Sequence, residues 1–181
     1  VFKGLRSWLL EKGLGFRKLF WATGLITFVL SPLADNLTSA LLMSTVALAV
    51  SNGNGKFIVP AFVNIIVAAN AGGAWSPFGD ITTLMVWTAG KVQTMEFSYL
   101  VLPSIVNWLI PASIMYFFVP DEQPEGGDED VEMKIGAKVV IFLGIFTIAT
   151  AVSFHQFLHL PPFMGMMFGL GLLMIEGFYL K

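Results

Sequence analysis

Charged residues are nearly absent from a long central part of this 181-residue chain. Only five lie between Lys18 and Asp121, namely Asp35, Lys56, Asp80, Lys91 and Glu96. Over the whole chain 12% of residues are charged and 56% are hydrophobic, whereas soluble domains carry about twice that share of charge. A water-soluble domain of this size would not bury so much apolar surface. The sequence therefore predicts an integral membrane protein and excludes a soluble enzyme, a nucleic-acid-binding protein and a disordered tail.

The chain has no cysteine, which excludes disulfides and thiolate metal sites. It begins with Val1 and not with methionine, and its first residues lack the pattern of a secretory signal. We therefore expect a processed or truncated chain. The net charge of −2 says little about partners, because in a membrane protein the distribution of charge matters more than its sum.

Three apolar stretches in the second half of the chain are long enough to cross a bilayer, which takes about 20 residues. They predict transmembrane helices at residues 97–119, 135–154 and 161–180. The residues between the first two, 120–134, include the run DEQPEGGDEDVE and predict an acidic cytoplasmic loop.

The apolar stretches of the first half are shorter and come in two interrupted pairs. Residues 19–50 are interrupted at Ala34-Asp35-Asn36, and as one helix they would be about 48 Å long, against a hydrocarbon layer of ~30 Å. They predict a re-entrant helical hairpin. Residues 57–89 lose their apolar pattern from Asn70 to Asp80, and each half is too short to span alone. They predict one transmembrane helix that is broken in its middle.

Basic residues determine the predicted orientation, because lysine and arginine are enriched in cytoplasmic segments. Residues 1–18 precede the hairpin and Lys56 follows it, so both ends of the hairpin are expected in the cytoplasm. Residues 1–18 are also predicted to form an amphipathic helix at the membrane interface, with basic residues Lys3, Arg6, Lys12, Arg17 and Lys18.

The two interruptions have the same pattern. The first reads SPLADNLT from Ser31 and the second reads SPFGDITT from Ser76, so Ser, Pro, Asp and Thr recur at equal offsets. Proline and glycine free backbone groups that persist at membrane depth only where protein or a water-filled cavity satisfies them. A buried aspartate costs about 2.5–3.5 kcal/mol to insert, so Asp35 and Asp80 are expected to have a function.

The polar residues at the two breaks are hard oxygen donors, which suit a metal cation. A carboxylate placed among such donors can hold either a proton or a cation. The candidate ion-binding residues are Asp35, Asn36, Asn70, Asp80, Thr82 and Thr83.

These residues also have purely structural interpretations. Asp35 and Asp80 can be N-caps of the helices that follow, and capping can coexist with ion binding. Asn70 with Gly72-Gly73 can be a helix C-cap. The two threonine hydroxyls can bond back to their own helix.

Two strings, SPLADNLTSALL at residues 31–42 and NAGGAWSPFGDITTLMVW at residues 70–87, resemble the NhaD-type sodium/proton antiporters of the ion-transporter superfamily. The resemblance extends over the whole chain, which covers well under half of the family's length. It implies a multi-pass protein of the cell inner membrane that exchanges cytoplasmic sodium or lithium for external protons. It implies neither an enzyme nor a cofactor. The family's functional polar residues fall on the six candidates above, with Asp35 and Asp80 as the sodium ligands.

The resemblance also implies an all-α fold of two inverted repeats, with the ion site between them. Each repeat contributes a re-entrant hairpin and a broken helix, and this chain contains one such pair followed by three further transmembrane helices. The expected partners are the lipid bilayer, the transported ions, the rest of the transporter with its second repeat, and a second copy in a homodimer. No nucleic acid is expected.

Three other functions stay open. An anion carrier of the same superfamily, for dicarboxylate or arsenite, would hold its substrate at the half-helix N-termini, although two intramembrane carboxylates argue against it. An intramembrane aspartyl protease would need Asp35 and Asp80 within a few Å of each other, and hydrolysis does not require the neighbouring Asn and Thr residues. The chain can also be a structural part without activity of its own.

Overall fold

The computed structural model describes residues 15–51, 53–123, 137–158, 160 and 162–179. Within these ranges the chain contains helices and no strand, which confirms the all-α prediction. The chain divides into two compact units, residues 2–131 and residues 132–181.

The described residues of the first unit contain five α-helices and one 3-10 helix. They are α1 (Phe16–Ala34), α2 (Asn36–Ser51), α3 (Gly55–Gly73), α4 (Ile81–Thr88), the 3-10 helix (Thr94–Leu100) and α5 (Val101–Tyr116). Helix α1 continues past Pro32, and Asp35 alone separates it from α2. Asp35 has a φ of 58° and a ψ of 161°, a backbone conformation that residues with a Cβ rarely adopt and that turns the chain sharply.

Helices α1 and α2 form a hairpin with its tip at Asp35. Helix α3 runs beside α1 in the same direction, because the rings of Phe16 and Phe57 stack at 4.6 Å near the helix starts and Ser31 donates to the Ala69 carbonyl near their ends. Helix α2 leads from the end of α1 back to the start of α3. It therefore runs antiparallel to both.

Small residues let α1 and α3 pack closely. A methyl group on Gly72 would overlap the carbonyl oxygen of Phe28, and Ala61, Ala68 and Ala69 have no exposed surface. Such close approach is typical of helix pairs in membranes, where van der Waals packing and not apolar burial holds helices together.

The break between α3 and α4 lies further along the chain than the sequence analysis placed it. Helix α3 continues through Asn70 and the two glycines to Gly73, and the non-helical segment is residues 74–80. Helix α3 thus has 19 residues, so the expectation that this half is too short to span alone was wrong. Gly72 and Gly73 lie inside the last turn of α3, where they allow close packing against Phe28 and Gly79, and the C-cap is Ala74.

Two other boundaries differ from the predicted ones. Residues 16–18, which were assigned to an interfacial helix, belong to α1, and residues 1–14 lie outside the described residues. The stretch 97–119 is not one helix, because a 3-10 helix leads into α5 at Val101. In the predicted acidic loop, residues 120–123 are non-helical and residues 124–134 lie outside the description.

Two helical stretches among the described residues are long and apolar enough to cross a membrane. They are Gly55–Gly73 and the continuous stretch Thr94–Tyr116. Both belong to the first unit.

The second unit is a helix pair, α6 (Ala137–Leu158) and α7 (Pro162–Tyr179). The two helices run antiparallel, since Gly165 lies against Ala151 and Gly169 lies against Thr147. The bounds predicted from the sequence are 135–154 and 161–180.

Candidate functional site

The two Ser-Pro breaks meet in the structure. The backbone N–H of Asn36 donates to the Gly79 carbonyl at 2.8 Å, and the Ser76 hydroxyl donates to the Pro32 carbonyl at 2.8 Å. The tip of the α1–α2 hairpin is therefore joined to the non-helical segment between α3 and α4. Backbone groups that each break releases are satisfied by the other break, as the membrane interior requires.

Two glycines allow this contact. A methyl group on Gly73 would lie 2.5 Å from the Gly79 carbonyl oxygen, and one on Gly79 would overlap the Gly73 backbone. Only residues without a Cβ permit the two backbone segments to approach so closely.

The side chain of Asn36 connects three of the predicted site residues. Its amide nitrogen donates to Asp80 Oδ2 at 2.5 Å and to Asn70 Oδ1 at 3.2 Å. Asn36, Asn70 and Asp80 thus form one polar cluster from three helices. Asn70 is exposed, while Asn36 and Asp80 are half-buried.

Asp80 is the N-cap of α4. Its Oδ1 accepts hydrogen bonds from both the backbone N–H and the hydroxyl of Thr82, each at 2.8 Å. The Thr83 hydroxyl instead bonds to the backbone of Asp80, donating to its carbonyl at 2.8 Å. The backbone N–H of Thr83 also donates to the Asp80 side chain, which makes a capping box. Of the two threonine hydroxyls, that of Thr82 bonds to the carboxylate and that of Thr83 bonds to the backbone of Asp80.

Asp35 directly precedes Asn36 in the chain, but its carboxylate accepts hydrogen bonds from the first turn of α2. Oδ1 accepts from the Thr38 backbone N–H at 2.8 Å and Oδ2 accepts from the Thr38 hydroxyl at 2.6 Å. Asp35 caps α2 as Asp80 caps α4, so the capping interpretation describes both aspartates. Asp35 is exposed, and Asn36 separates it from the Asp80 cluster.

Asn70 is not the C-cap of α3. It lies in the last turn of the helix, where its amide nitrogen donates to the Ile66 carbonyl at 2.9 Å, and the C-cap residue is Ala74. The amide oxygen of Asn70 faces Asn36 across the junction, which brings Asn70 into the site.

The site is acidic. In the part of the chain that the structure describes, no ion pair involves Asp35 or Asp80, and Arg17 at the start of α1 pairs with Asp121. The N-termini of α2 and α4 each begin beside one carboxylate and stabilise its negative charge. Carboxylate, amide and hydroxyl oxygens in this arrangement suit a small hard cation.

A cavity of about 270 Å³ adjoins the site on one side of α4. Two site residues line it together with mostly apolar side chains: Thr82, Thr83, Val86, Val92, Glu96, Phe97 and Leu100.

Sequence reasoning missed a second polar connection, at Asn64 in the middle of α3. This side chain has no exposed surface, donates to the Phe20 carbonyl at 2.8 Å and accepts from Trp108 Nε1 at 2.9 Å. It joins α1, α3 and α5. A lone amide within the apolar stretch 57–69 was the available signal, because polar side chains at membrane depth need partners.

Comparison with known proteins gives consistent matches. The sequence model of the citrate transporter family, CitMHS, matches residues 1–180. The Na(+)/H(+) antiporter NhaD of Vibrio parahaemolyticus is 54% identical over 181 residues, which are 100% of this chain and 44% of that protein. NhaD of Alkalimonas amylolytica is also 54% identical, over 100% of this chain and 38% of its own length. Sodium/proton antiporter 1 of Arabidopsis thaliana is 35% identical over 88% of this chain and 28% of that protein.

These matches confirm the resemblance to NhaD-type antiporters. The chain spans less than half the length of the curated relatives it matches. No solved structure gives a significant match.

Proposed function

The chain belongs to the citrate transporter family, and we propose that it is part of a secondary antiporter that exchanges sodium or lithium for protons across the cell inner membrane. The observation that carries this proposal is the cluster of Asn36, Asn70 and Asp80 where the two breaks meet. The relatives named as sodium/proton antiporters support the choice of ion.

The cluster has oxygens to offer a cation. Asn36 uses its amide nitrogen for both bonds, so its carbonyl oxygen is not needed for either and is a donor that we assign to the cation. Thr82 donates its hydroxyl proton to Asp80, so the lone pairs of that oxygen face outward. Asn70 Oδ1 and the two carboxylates complete a set of hard donors, and Thr83 contributes by holding the backbone of Asp80.

Exchange follows from competition for the carboxylates. A sodium ion needs Asp35 and Asp80 ionised, whereas protonation removes the charge that holds the ion. One ion is therefore released as the other binds, and the site is never left with two uncompensated charges in the membrane interior.

The proposed membrane arrangement has a re-entrant hairpin, α1–α2, and a broken helix, α3–α4. Arg17 at the start of α1 pairs with Asp121 after α5 at 3.0 Å, and Asn54 before α3 donates to Glu122 at 3.1 Å. Both ends of the hairpin and the start of the acidic segment thus lie at one end of this unit, which we place in the cytoplasm. The exposed side of the site then faces the second repeat of the complete transporter.

The test is sodium-dependent proton movement in vesicles that contain the complete transporter. Asp35→Asn and Asp80→Asn remove the exchangeable charge while keeping the shape, so each is expected to abolish exchange. Asp121→Asn is the matched control, because Asp121 is 78% exposed and lies at the opposite end of the unit. Wild-type exchange in both site variants would contradict the proposal.

A citrate or other anion carrier is the second candidate, since the family is described as a citrate transporter. In that case the N-termini of α2 and α4 would bind the anion. Both N-termini are already occupied by carboxylates that accept the N–H groups of Thr38 and Thr82, and these negative charges repel an anion. Uptake of labelled citrate that survives in the Asp80→Asn variant would favour this candidate.

A further inference from the structure

One hydroxyl close to the proposed ion site has no partner. Ser39 has no exposed surface, and its Oγ makes no hydrogen bond. Among buried side-chain nitrogen and oxygen atoms in the described residues, only Trp75 Nε1 shares this state. The indole N–H can only donate, whereas a hydroxyl oxygen has lone pairs for a cation.

Five other buried hydroxyls in the described part of the first unit have hydrogen-bond partners. Thr23, Thr27 and Ser51 bond to carbonyl groups of their own helices. Ser31 donates to Ala69, and Ser76 bonds across the junction of the two breaks. An unpaired buried hydroxyl is costly, so the state of Ser39 calls for a ligand.

Ser39 lies on the same face of α2 as Asn36. The buried residues of this helix recur at Ser39, Met43, Val46 and Val50, and Asn36 is three residues before the first of them. Residues three apart on a helix have Cβ atoms about 5–6 Å from each other. Ser39 is therefore about one helical turn along α2 from Asn36, whose amide contacts Asn70 and Asp80.

We propose that the Ser39 hydroxyl oxygen is a further ligand of the transported cation, an inference that rests on the proposed function. The backbone N–H of Ser39 donates to the Asp35 carbonyl at 3.1 Å. This bond holds Ser39 in the first turn of α2, next to Asp35. A cation bound between the carboxylates and this turn of α2 would have the uncharged Ser39 hydroxyl oxygen as an additional ligand. The hydroxyl gains the partner that it otherwise lacks.

The proposal predicts opposite effects of Ser39→Ala on two measurements. Without sodium or lithium, the purified variant should unfold at a higher temperature than the wild type, because the substitution removes an unsatisfied buried hydroxyl. The sodium concentration that gives half-maximal exchange should rise roughly tenfold, which corresponds to about 1.4 kcal/mol of binding. Sodium should accordingly raise the unfolding temperature of the variant less than that of the wild type.

The matched control is Ser51→Ala, at the other end of α2. Ser51 is also buried, but its hydroxyl donates to the Leu48 carbonyl at 2.7 Å. This variant should keep the wild-type sodium dependence and should not be more stable than the wild type.

The result that overturns the inference is a Ser39→Ala variant with wild-type sodium dependence in both exchange and thermal unfolding. Equal losses in the Ser39 and Ser51 variants would also overturn it, because they would show a packing effect. Failure of the proposed function is a separate result, in which the wild-type transporter itself shows neither sodium-dependent exchange nor stabilisation by sodium.

Discussion

The side-chain nitrogen of Asn36 lies 2.5 Å from Oδ2 of Asp80, a residue 44 positions further along the chain. This contact joins the tip of the hairpin to the start of α4. The orientation of the Asp80 carboxylate therefore depends on two segments at once, since Thr82 holds its other oxygen. Movement of the hairpin relative to α4 would therefore change the geometry of the proposed ion site.

Asn36→Ala is expected to weaken cation binding without unfolding the protein. A hydrogen bond to a charged group contributes about 1.5–3 kcal/mol, so half-maximal exchange should need at least roughly ten times more sodium. Sodium titration of exchange in vesicles measures this. Asn54→Ala is the control, because Asn54 caps α3 and contacts Glu122 at the end of the unit that is distant from the site. Equal sodium dependence in the two variants would contradict a role of Asn36 in the site.

Asn64→Leu is expected to lower stability and to leave the sodium dependence of exchange unchanged. The substitution keeps a similar volume but leaves the buried N–H of Trp108 without an acceptor, at a cost of about 1–3 kcal/mol. Thermal unfolding in detergent measures this effect. Asn64 precedes Asn70 by six residues, or about 9 Å along α3, so the site itself should be intact.

The double variant Asn64→Leu with Trp108→Phe sharpens this prediction. It removes both members of the hydrogen bond, so neither polar group is left unsatisfied. Its loss of stability should be smaller than the sum of the two single losses. Additive losses would show that the two side chains contribute separately and not through their hydrogen bond.

The two breaks themselves were predictable from the sequence. Matching Ser-Pro-x-x-Asp patterns, with polar residues after each aspartate, indicated two helix interruptions whose free backbone groups need partners. That Asn36 of one break pairs with Gly79 of the other is a finding of the structure. The hairpin was also predictable, because the apolar-rich stretch of 32 residues from 19 to 50 is too long for one crossing and is interrupted by polar residues at Asp35.

The remaining features depend on contacts between residues that are distant in sequence. Gly72 and Gly73 suggested the end of a helix, since glycine is common there, but they lie where α3 touches Phe28 and Gly79. Ser39 is one of several polar residues at the start of α2, and Asn64 is a single polar residue inside an apolar stretch. Whether such a side chain is satisfied depends on the facing helix, which the local pattern does not contain.

Gly165→Val is expected to separate α6 from α7. A Cβ at Gly165 would lie 2.5 Å from the Cα of Ala151, and backbone cannot move aside as a flexible side chain can. Overpacking of this kind typically costs about 1–3 kcal/mol. Gly171→Val is the control, since nothing lies within 4 Å of a Cβ at that position of the same helix. Thermal unfolding of the two variants should differ accordingly, and equal stability would argue against close packing at Gly165.

Gly73→Ala is expected to disrupt the ion site through the backbone. The added methyl group would lie 2.5 Å from the Gly79 carbonyl oxygen, which accepts the N–H of Asn36 at 2.8 Å. Displacing that carbonyl moves Asn36 away from Asp80, so exchange should need at least roughly ten times more sodium, as for Asn36→Ala. Gly55→Ala, at the start of the same helix, has open space around its Cβ and should exchange normally, with equal or higher stability because alanine favours helix. Normal sodium dependence in Gly73→Ala would mean that the ion site tolerates separation of the two breaks, and the cluster around Asn36 would then not be the site of exchange.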